Sequence, residues 1–573
     1  MKKLFKYLKD FRAECVLGPL FKLFEAALEL LIPIIVKLII DGGIGGGNTS
    51  FAVKMVLLMV GMGAVGFVLS VIAQYFAAKA SVGFAAKIRY ALFRHIGKLS
   101  FTELDNAGEA TLITRLTGDI NQIQTGTNLC LRLLLRSPFV VFGAMIMAFT
   151  IDVKAALIFA ASIPILSVIV FGIMLINIRL YKKVQSGLDG VLSKTRETLS
   201  GARVVRAFAK EDDEVRQFKN RNSSYVASQK FVGKISALMN PLTYIVINIA
   251  VIVLIKQGAI SVYAGALTQG AVVALYNYMS QILVELIKLA NLIINITKFV
   301  ACGNRVQAVL DTEPEKSGEL MPDTNAQTAV EFKNVYLKYS GAGDYSLEDI
   351  SFSANKGETV GIIGATGCGK TSLINLIPGF YTAEKGEVRV FGEDVSRQNK
   401  TALLSKIGIV PQKASLFSGS IRKNMLIGNP KASDEEIISA ITMAQGKDIL
   451  SSKREGLDFR LSAGGKNLSG GQRQRLTIAR ALVKKPEILI FDDSFSALDF
   501  ATDAALRSAI RSLPFNPTVF MVSQRISSII GADKILVLDD GKLVGCGTHS
   551  ELLESCEIYR EIYTSQSGEE AAV

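Results

Sequence analysis

Residues 360–372 read Val360-Gly-Ile-Ile-Gly-Ala-Thr-Gly-Cys-Gly-Lys-Thr-Ser372, VGIIGATGCGKTS, an apolar run that breaks into glycines and then enters the helical SLINLI. A strand, a GxxxxGK[ST] turn and a helix in that order form a phosphate cradle. Gly364, Gly367 and Gly369 let backbone N–H groups converge on phosphate oxygens, and the helix start adds partial positive charge. Lys370 reaches the β- and γ-phosphates, and the Thr371 hydroxyl is placed to ligate Mg²⁺. Ala365, Thr366, Cys368 and Ser372 complete the loop. Cys368 has two readings here, a thiol acidified by the helix start or a small spacer.

Further along, Ile490 to Asp499, IFDDSFSALD, ends a buried-strand pattern on two acids. Asp492, at the C-terminal end of that strand, is positioned to hold Mg²⁺. Between the two stretches lies NLSGGQRQRLTIARALVKKP, residues 467–486, where Ser469, Gly470 and Gly471 precede a helix with Leu476, Ala479 and Leu482 on one face. Exposed N–H groups and a hydroxyl at a helix start make a second phosphate-binding device. One α/β domain thus owns two.

The rest of the chain is of another kind. Its 573 residues exceed one ordinary core, 49% are hydrophobic and the mean hydropathy is positive. Apolar stretches of membrane-spanning length recur up to about residue 300, near 16–40, 53–80, 129–150, 155–179, 235–257 and 270–298. The organisation expected is a six-span membrane domain over 1–310, a linker over 311–327 (DTEPEKSGELMPDTNAQ) and a nucleotide-binding domain over 328–573. The connections between spans two and three and between spans four and five are long and basic, with thirteen Lys and Arg in residues 179–234, whereas DGGIGGGNTS, IDVKA and KQGAISVYAGALTQ carry at most one each. By the positive-inside rule the long loops, both termini and the nucleotide domain are cytosolic in a multi-pass cell-membrane protein. That accounts for the net charge of +13 without nucleic-acid binding.

The basic, amphipathic opening MKKLFKYLKDFRAE reads as a cytosolic helix leading into a retained span, since no small-residue cleavage site follows it. Six scattered cysteines and two histidines argue against disulfides and structural zinc. Charges fall inside the spans: Lys22, Glu25, Glu29 and Lys37 in the first, Arg132 and Arg136 in the third, Glu285 and Lys288 in the sixth. Two readings stand. Glu25, Glu29, Arg132, Arg136 and Glu285 line a substrate cavity, or pairs such as Lys22–Glu25 and Glu285–Lys288 pack between helices.

Leu468-Ser469-Gly470-Gly471-Gln472 is similar to the signature of ATP-binding cassette (ABC) transporters, and six spans fused to one cassette resemble the half-transporter layout of ABC exporters. The resemblance covers nearly the whole chain. It implies a domain-swapped helical membrane domain followed by an α/β P-loop NTPase cassette with a helical subdomain, ATP and Mg²⁺ as cofactors, and cassettes paired head to tail. Each ATP would then lie between one P-loop and the other chain's signature. It also implies that Tyr339 in VYLKYSG stacks on adenine, the alternative being a core tyrosine. Gln412 in IVPQKASLFSGSI would contact Mg²⁺ and sense the membrane domain, and Ser496-Ala497-Leu498-Asp499 would form the D-loop. NAGEATLITRLTGDINQIQ and TRETLSGARVVRAFAKE resemble coupling-helix regions that dock on cassettes; solvated amphipathic helices are the alternative.

Three positions depart from that pattern. Asp493 stands where the family's catalytic base is glutamate, Gln524 in FMVSQRISS where a switch histidine is expected, and Arg460 where exporters commonly carry a glutamate. An aspartate retracts the carboxylate by one C–C bond, and a misplacement of about 1 Å costs on the order of a hundredfold in rate; with a shifted backbone Asp493 would still serve. The pairing of Asp493 and Gln524 resembles the degenerate subunit of heterodimeric multidrug ABC exporters. The expected partner is a second half-transporter with an intact glutamate and histidine, alongside membrane lipids and a small amphipathic drug or lipid-like substrate. The alternatives are an exporter-fold importer of siderophores or metallophores and an ATP-gated channel or regulatory subunit.

Overall fold

Apolar runs with few breakers become long helices, and their caps are legible. In a computed structural model, which describes residues 1–323 and 325–570, Asn48 starts helix α2 by accepting the Phe51 N–H at 3.0 Å, and Asp152 starts α7 by accepting that of Ala155 at 2.6 Å. Each cap stabilises its helix by about 1 kcal/mol. The helices are α1 (Arg12–Leu38), α2 (Thr49–Ile96), α3 (Phe101–Ala107), α4 (Glu109–Thr114), α5 (Ile120–Leu133), α6 (Arg136–Ile151), α7 (Val153–Ser200), α8 (Ala202–Ala207), α9 (Glu211–Ala237), α10 (Met239–Tyr263) and α11 (Gln269–Asp311).

Among the described residues four helical stretches, Thr49–Ile96, Glu109–Ile151, Val153–Ser200 and Glu211–Tyr263, are long and apolar enough to cross a membrane. Helices α1 and α11, which carry the first and sixth expected spans, are also long at 27 and 43 residues. They hold the acids and lysines that the sequence reading placed inside the first and sixth spans.

The chain divides into two compact units. One comprises Met1–Gly97 and Glu109–Thr312, and the other Lys98–Gly108 together with the chain from Glu313 onward. In the helical unit Ala26, Phe159, Leu254, Tyr278 and Ile282 form one core, with the Tyr278 hydroxyl donating to the Leu30 carbonyl at 2.6 Å. Phe84, Ile88, Ile120, Ile123 and Val306 form another with Leu4. Large apolar side chains of α2 such as Leu57 and Phe67 face outward, 64% and 70% exposed, which fits an apolar surround. Helices α7 and α9 pack along each other, joined through α8, whose neighbourhood exposes Leu199, Val204 and Phe208.

The segment that leaves the helical unit to join the second unit is α3. This is earlier and shorter than the 106–124 region expected to dock. Most of that region is held in the helical unit, where Asp119 pairs with Arg115 at 2.9 Å and with Arg305 of α11 at 2.6 Å.

In the second unit the strands are β1 (Thr328–Leu337), β2 (Leu347–Asn355), β3 (Thr359–Gly364), β4 (Lys385–Val390), β5 (Glu393–Asp394), β6 (Ile407–Val410), β7 (Gly419–Ser420), β8 (Arg460–Leu461), β9 (Ile488–Asp492), β10 (Thr518–Val522), β11 (Lys534–Asp539) and β12 (Lys542–Gly547). A six-stranded sheet runs β12-β11-β3-β10-β9-β6, parallel except for the β12 edge, and a four-stranded antiparallel sheet runs β2-β1-β4-β5. Strand β9 is apolar from Ile488 to Phe491, as suits a strand covered on both faces of a parallel sheet, and ends on Asp492. Leu489 and Phe491 join one core with Met521 and Val537, while Ile488 and Ile490 join the other with Phe520 and Leu536. Removing such a side chain, as in Phe491→Ala, costs about 3–5 kcal/mol. In register, Val522 of β10 sits beside both Ile362 of β3 and Asp492 of β9, so the P-loop and the two acids emerge together at the C-terminal ends of these central strands.

Candidate functional site

Strand β3 ends on Gly364, and the chain turns through Ala365–Gly369 into α12 (Lys370–Leu376). Two glycines are structurally required. Gly369 has φ of +98° and a Cβ there would meet the Ser346 carbonyl oxygen at 2.7 Å, while a Cβ on Gly364, at φ +151°, would collide with the Leu538 carbonyl. The buried Lys370 ammonium lies across the loop, donating to the carbonyls of Gly364 at 2.8 Å and Ala365 at 2.6 Å. Cys368 is buried beside it.

The Thr371 hydroxyl donates to the Asp492 carboxylate at 2.9 Å. Burial pushes the Asp492 carboxyl above the ordinary range, opposed by the Thr371 hydrogen bond and reinforced by the neighbouring Asp493. A hydroxyl and a buried, charge-penalised carboxylate are hard oxygen donors that suit Mg²⁺. Among the described residues no cluster of three His, Cys, Asp or Glu is built to hold a metal. An ion here would therefore share its coordination with phosphate oxygens and water, as Mg²⁺ does.

Asp493 sits at φ +43°, a left-handed conformation that aspartate tolerates better than most residues. Its Oδ2 faces two carboxamides, with Gln412 Nε2 and Gln524 Nε2 each at 3.5 Å. Burial raises its pKa, while the Gln412 amide and the Lys370 and Arg525 charges oppose the rise. Tyr339, Thr366, Gly367, Lys370, Thr371, Ser372, Gln412, Asp492, Asp493 and Gln524 all line one cavity of about 600 Å³. The Tyr339 hydroxyl donates to Ser372 Oγ at 3.0 Å, which fixes its ring at the cavity rim.

The signature and D-loop residues do not line this cavity. Ser469 caps the helix Gly470–Val483: its hydroxyl accepts the Gln472 N–H at 3.3 Å, and the Gln472 side-chain Oε1 accepts the Ser469 N–H at 3.1 Å. Gly470 is exposed at the start of that helix, with Leu468 buried behind it. Ser496 donates to the Asp493 carbonyl at 2.8 Å, Ala497 is exposed, Leu498 is buried, and Asp499 caps the helix Phe500–Arg511 through the Thr502 N–H at 2.9 Å. Arg460 is exposed on β8.

In the helical unit, Arg136 bridges two acids, donating to Glu29 and to Glu285 at 2.6 Å each. Glu285 also accepts from Ser137 and Lys288 at 2.8 Å. Glu29, Glu285, Lys288, Asn277 and Gln281 line a cavity of about 390 Å³. The pairs Lys22–Glu25 (2.5 Å) and Glu285–Lys288 form, but Glu29 and Glu285 also face a cavity. Glu25 turns to Lys22, and Arg132 joins none of these bonds.

The sequence reading missed two residues. Tyr381, in PGFYTAEKG, packs edge-on against Tyr339 with ring centroids 5.0 Å apart; the adjacent aromatics after the P-loop helix were the available signal. Gln566 donates to the Gln524 carbonyl at 2.7 Å and accepts the Ile526 N–H at 2.8 Å, a bracket that no local motif announces.

A P-loop, a strand-end aspartate and a signature-capped helix on a chain that begins as a helical membrane unit define an ABC transporter half-subunit. Residues 15–286 match the ABC transporter transmembrane region and residues 347–496 the ABC transporter cassette family. The chain is 33% identical over 572 residues to the uncharacterized ABC transporter ATP-binding protein YfiB of Bacillus subtilis (strain 168), covering 100% of both. It is 27% identical over 570 residues to an ATP-dependent lipid A-core flippase of Vibrio vulnificus (strain CMCP6), covering 99% of this chain and 98% of the other. A bacterial Atm1-family ABC exporter solved with ATP bound superposes with a TM-score of 0.80 at 25% identity, over 97% of this chain and 98% of the other. The chain belongs to the ABC transporters, with the exporter fold.

Proposed function

We propose that this chain is the ATP-holding half of a heterodimeric ABC exporter, with its own site slow to hydrolyse and its signature lent to the partner. The observation that carries the reading is the Asp493 carboxylate held between the carboxamides of Gln412 and Gln524. Hydrolysis needs a group that orients one water in line with the γ-phosphate, which in this family is a glutamate assisted by a histidine. Here the carboxylate is one methylene short and its neighbours do not titrate. Gly364–Ser372 and Lys370 would hold the phosphates, Tyr339 the adenine, and Thr371, Asp492 and Gln412 the Mg²⁺. When bound, that ion neutralises charge on the transferring phosphoryl group.

Leu468–Gln472 and the D-loop Ser496–Asp499 would then complete the site on a partner bearing the glutamate and histidine; their absence from this chain's own cavity supports that assignment. ATP binding closes the paired cassettes and biases the membrane cavity outward, and turnover on the partner's side resets it. The α7–α9 arm, with Leu199, Val204 and Phe208 exposed at its tip, suits docking on the other subunit's cassette. Six spans with cytosolic termini, and an amphipathic or lipid-like substrate near Glu29, Arg136 and Glu285, complete the reading. The flippase relationship supports that substrate class.

The test is ATP hydrolysis by the purified full-length chain in lipid. Firm Mg-ATP binding with slow turnover is expected, rising when the native partner is added; vigorous, cooperative hydrolysis by this chain alone overturns the proposal.

A further inference from the structure

Tyr339 is held at two points. Its hydroxyl is fixed by Ser372 and its ring by the edge of Tyr381, at 5.0 Å and an interplanar angle of 87°. Tyr381 is itself anchored in the opposite direction. Its hydroxyl donates to the Asp105 carboxylate of α3 at 2.6 Å. Beside it Phe101 of α3 packs on Phe380 with centroids 4.3 Å apart and lies 6.4 Å from the Tyr381 ring. Helix α3 starts at Ser100, which caps it by accepting the Glu103 N–H at 3.3 Å, and the Lys98 carbonyl just before it accepts the Glu315 N–H at 2.8 Å. An insertion from the helical part of the sequence is thus bonded to the residue that braces the adenine platform. Burial first, then the hydrogen bond to Asp105 and its charge, raises the Tyr381 phenol out of its ordinary range, so it remains a donor at neutral pH.

We infer that Tyr381 is a positioning residue for the nucleotide base, setting the ring of Tyr339 and coupling it, through Asp105, to α3. The inference rests on the reading of Tyr339 as the adenine platform. An edge-to-face contact has a preferred geometry, so a turn of the Tyr339 ring to take adenine is transmitted to Tyr381. Rotation of Tyr381 moves its hydroxyl relative to Asp105. Base occupancy and the seating of α3 become one linked equilibrium, and linkage is reciprocal: a change at α3 must alter affinity for the base. Asp105 lies outside the nucleotide cavity, so any effect of its replacement on base affinity arrives through Tyr381.

The test uses the full-length chain in lipid and compares MgATP with magnesium tripolyphosphate, which shares the phosphates but has no base. Tyr381→Phe keeps the ring and loses only the bond to Asp105. It should weaken ATP binding roughly three- to tenfold, the range one lost hydrogen bond gives, and leave tripolyphosphate binding unchanged. Asp105→Ala should do the same, and the double variant should be no worse than either single one. Equal weakening of both probes marks a general disturbance of the P-loop and overturns the inference. So do unchanged ATP affinity and strictly additive effects. Tyr339→Ala separates the underlying reading: if it leaves ATP affinity intact, the adenine platform itself is misassigned, whatever Tyr381 does.

Discussion

Restoring the hydrolytic pair in the Asp493→Glu/Gln524→His double variant should turn a holding site into a working one. Asp493 Oδ2 lies 3.5 Å from the amides of Gln412 and Gln524, so the carboxylate already points into the nucleotide cavity. What it lacks is reach. Glutamate advances it by one C–C bond, and with roughly a hundredfold in rate per 1 Å of misplacement the recovered positioning is about 100-fold, or about 2.7 kcal/mol of barrier. The backbone sets a counter-term. At φ +43° glutamate is less at home than aspartate, and the strain lowers stability by about 1 kcal/mol without entering the chemical step. The assay is single-turnover phosphate release at saturating MgATP, with ATP occupancy measured in parallel and the homodimer's own Ser469 signature completing each site. A double variant that binds ATP as before yet hydrolyses it no faster would refute the positioning argument. Asp493→Glu alone should recover only part of the gain.

Three further outcomes follow from the geometry. In the nucleotide-free chain Asp493→Asn should raise the melting temperature at neutral pH, because burial holds the native carboxyl pKa above its unfolded value. The native state then binds more protons than the unfolded one, stability falls as pH rises from the ordinary carboxylate range through the raised native pKa, and the advantage of the variant should vanish below that window in calorimetric scans. Arg136→Met leaves the buried Glu285, only 3% exposed, with Ser137 and Lys288 as its remaining donors and should destabilise the membrane unit by about 1.5–3 kcal/mol; adding Glu285→Gln should recover part of it, read by thermal unfolding in lipid. Ser469→Ala should remove about 1 kcal/mol of capping from the helix Gly470–Val483. It should leave this chain's ATP affinity unchanged while slowing turnover with the partner, which paired binding and hydrolysis assays resolve.

The parts legible in the sequence were those whose chemistry is local. Gly364 and Gly369 announce a turn that only glycine can make, β9 announces a two-faced sheet by its unbroken apolar run, and Ser469 with Gln472 three residues on announces a helix start. The Lys22–Glu25 and Glu285–Lys288 pairs were legible for the same reason, since helical spacing fixes who meets whom. The Arg136 bridge to Glu29 and Glu285 joins residues 107 and 149 positions apart, and no periodicity specifies which face of α6 meets α1 and α11. Tyr381 and Gln566 escaped likewise. Each acts on a loop from a different element, and an amide or a phenol in a polar segment looks like any solvated side chain until the packing is known.

The insertion of α3 into the second unit has a consequence for the order of synthesis. Phe101 and Asp105 leave the ribosome long before their partners Phe380 and Tyr381 exist. At about 5–20 residues per second, the roughly 280 residues between them correspond to a wait on the order of 15–55 s. During that interval a seven-residue helix with a large aromatic at its start has nothing to fold against, and a helix so short is marginal by itself. Its formation is therefore deferred until the late-emerging cassette captures it, so the second unit is completed with a segment that emerged before most of the helical unit. A nascent chain stalled before Phe380 would carry this segment as a persistent open end, available to whichever chaperone attends the growing membrane protein.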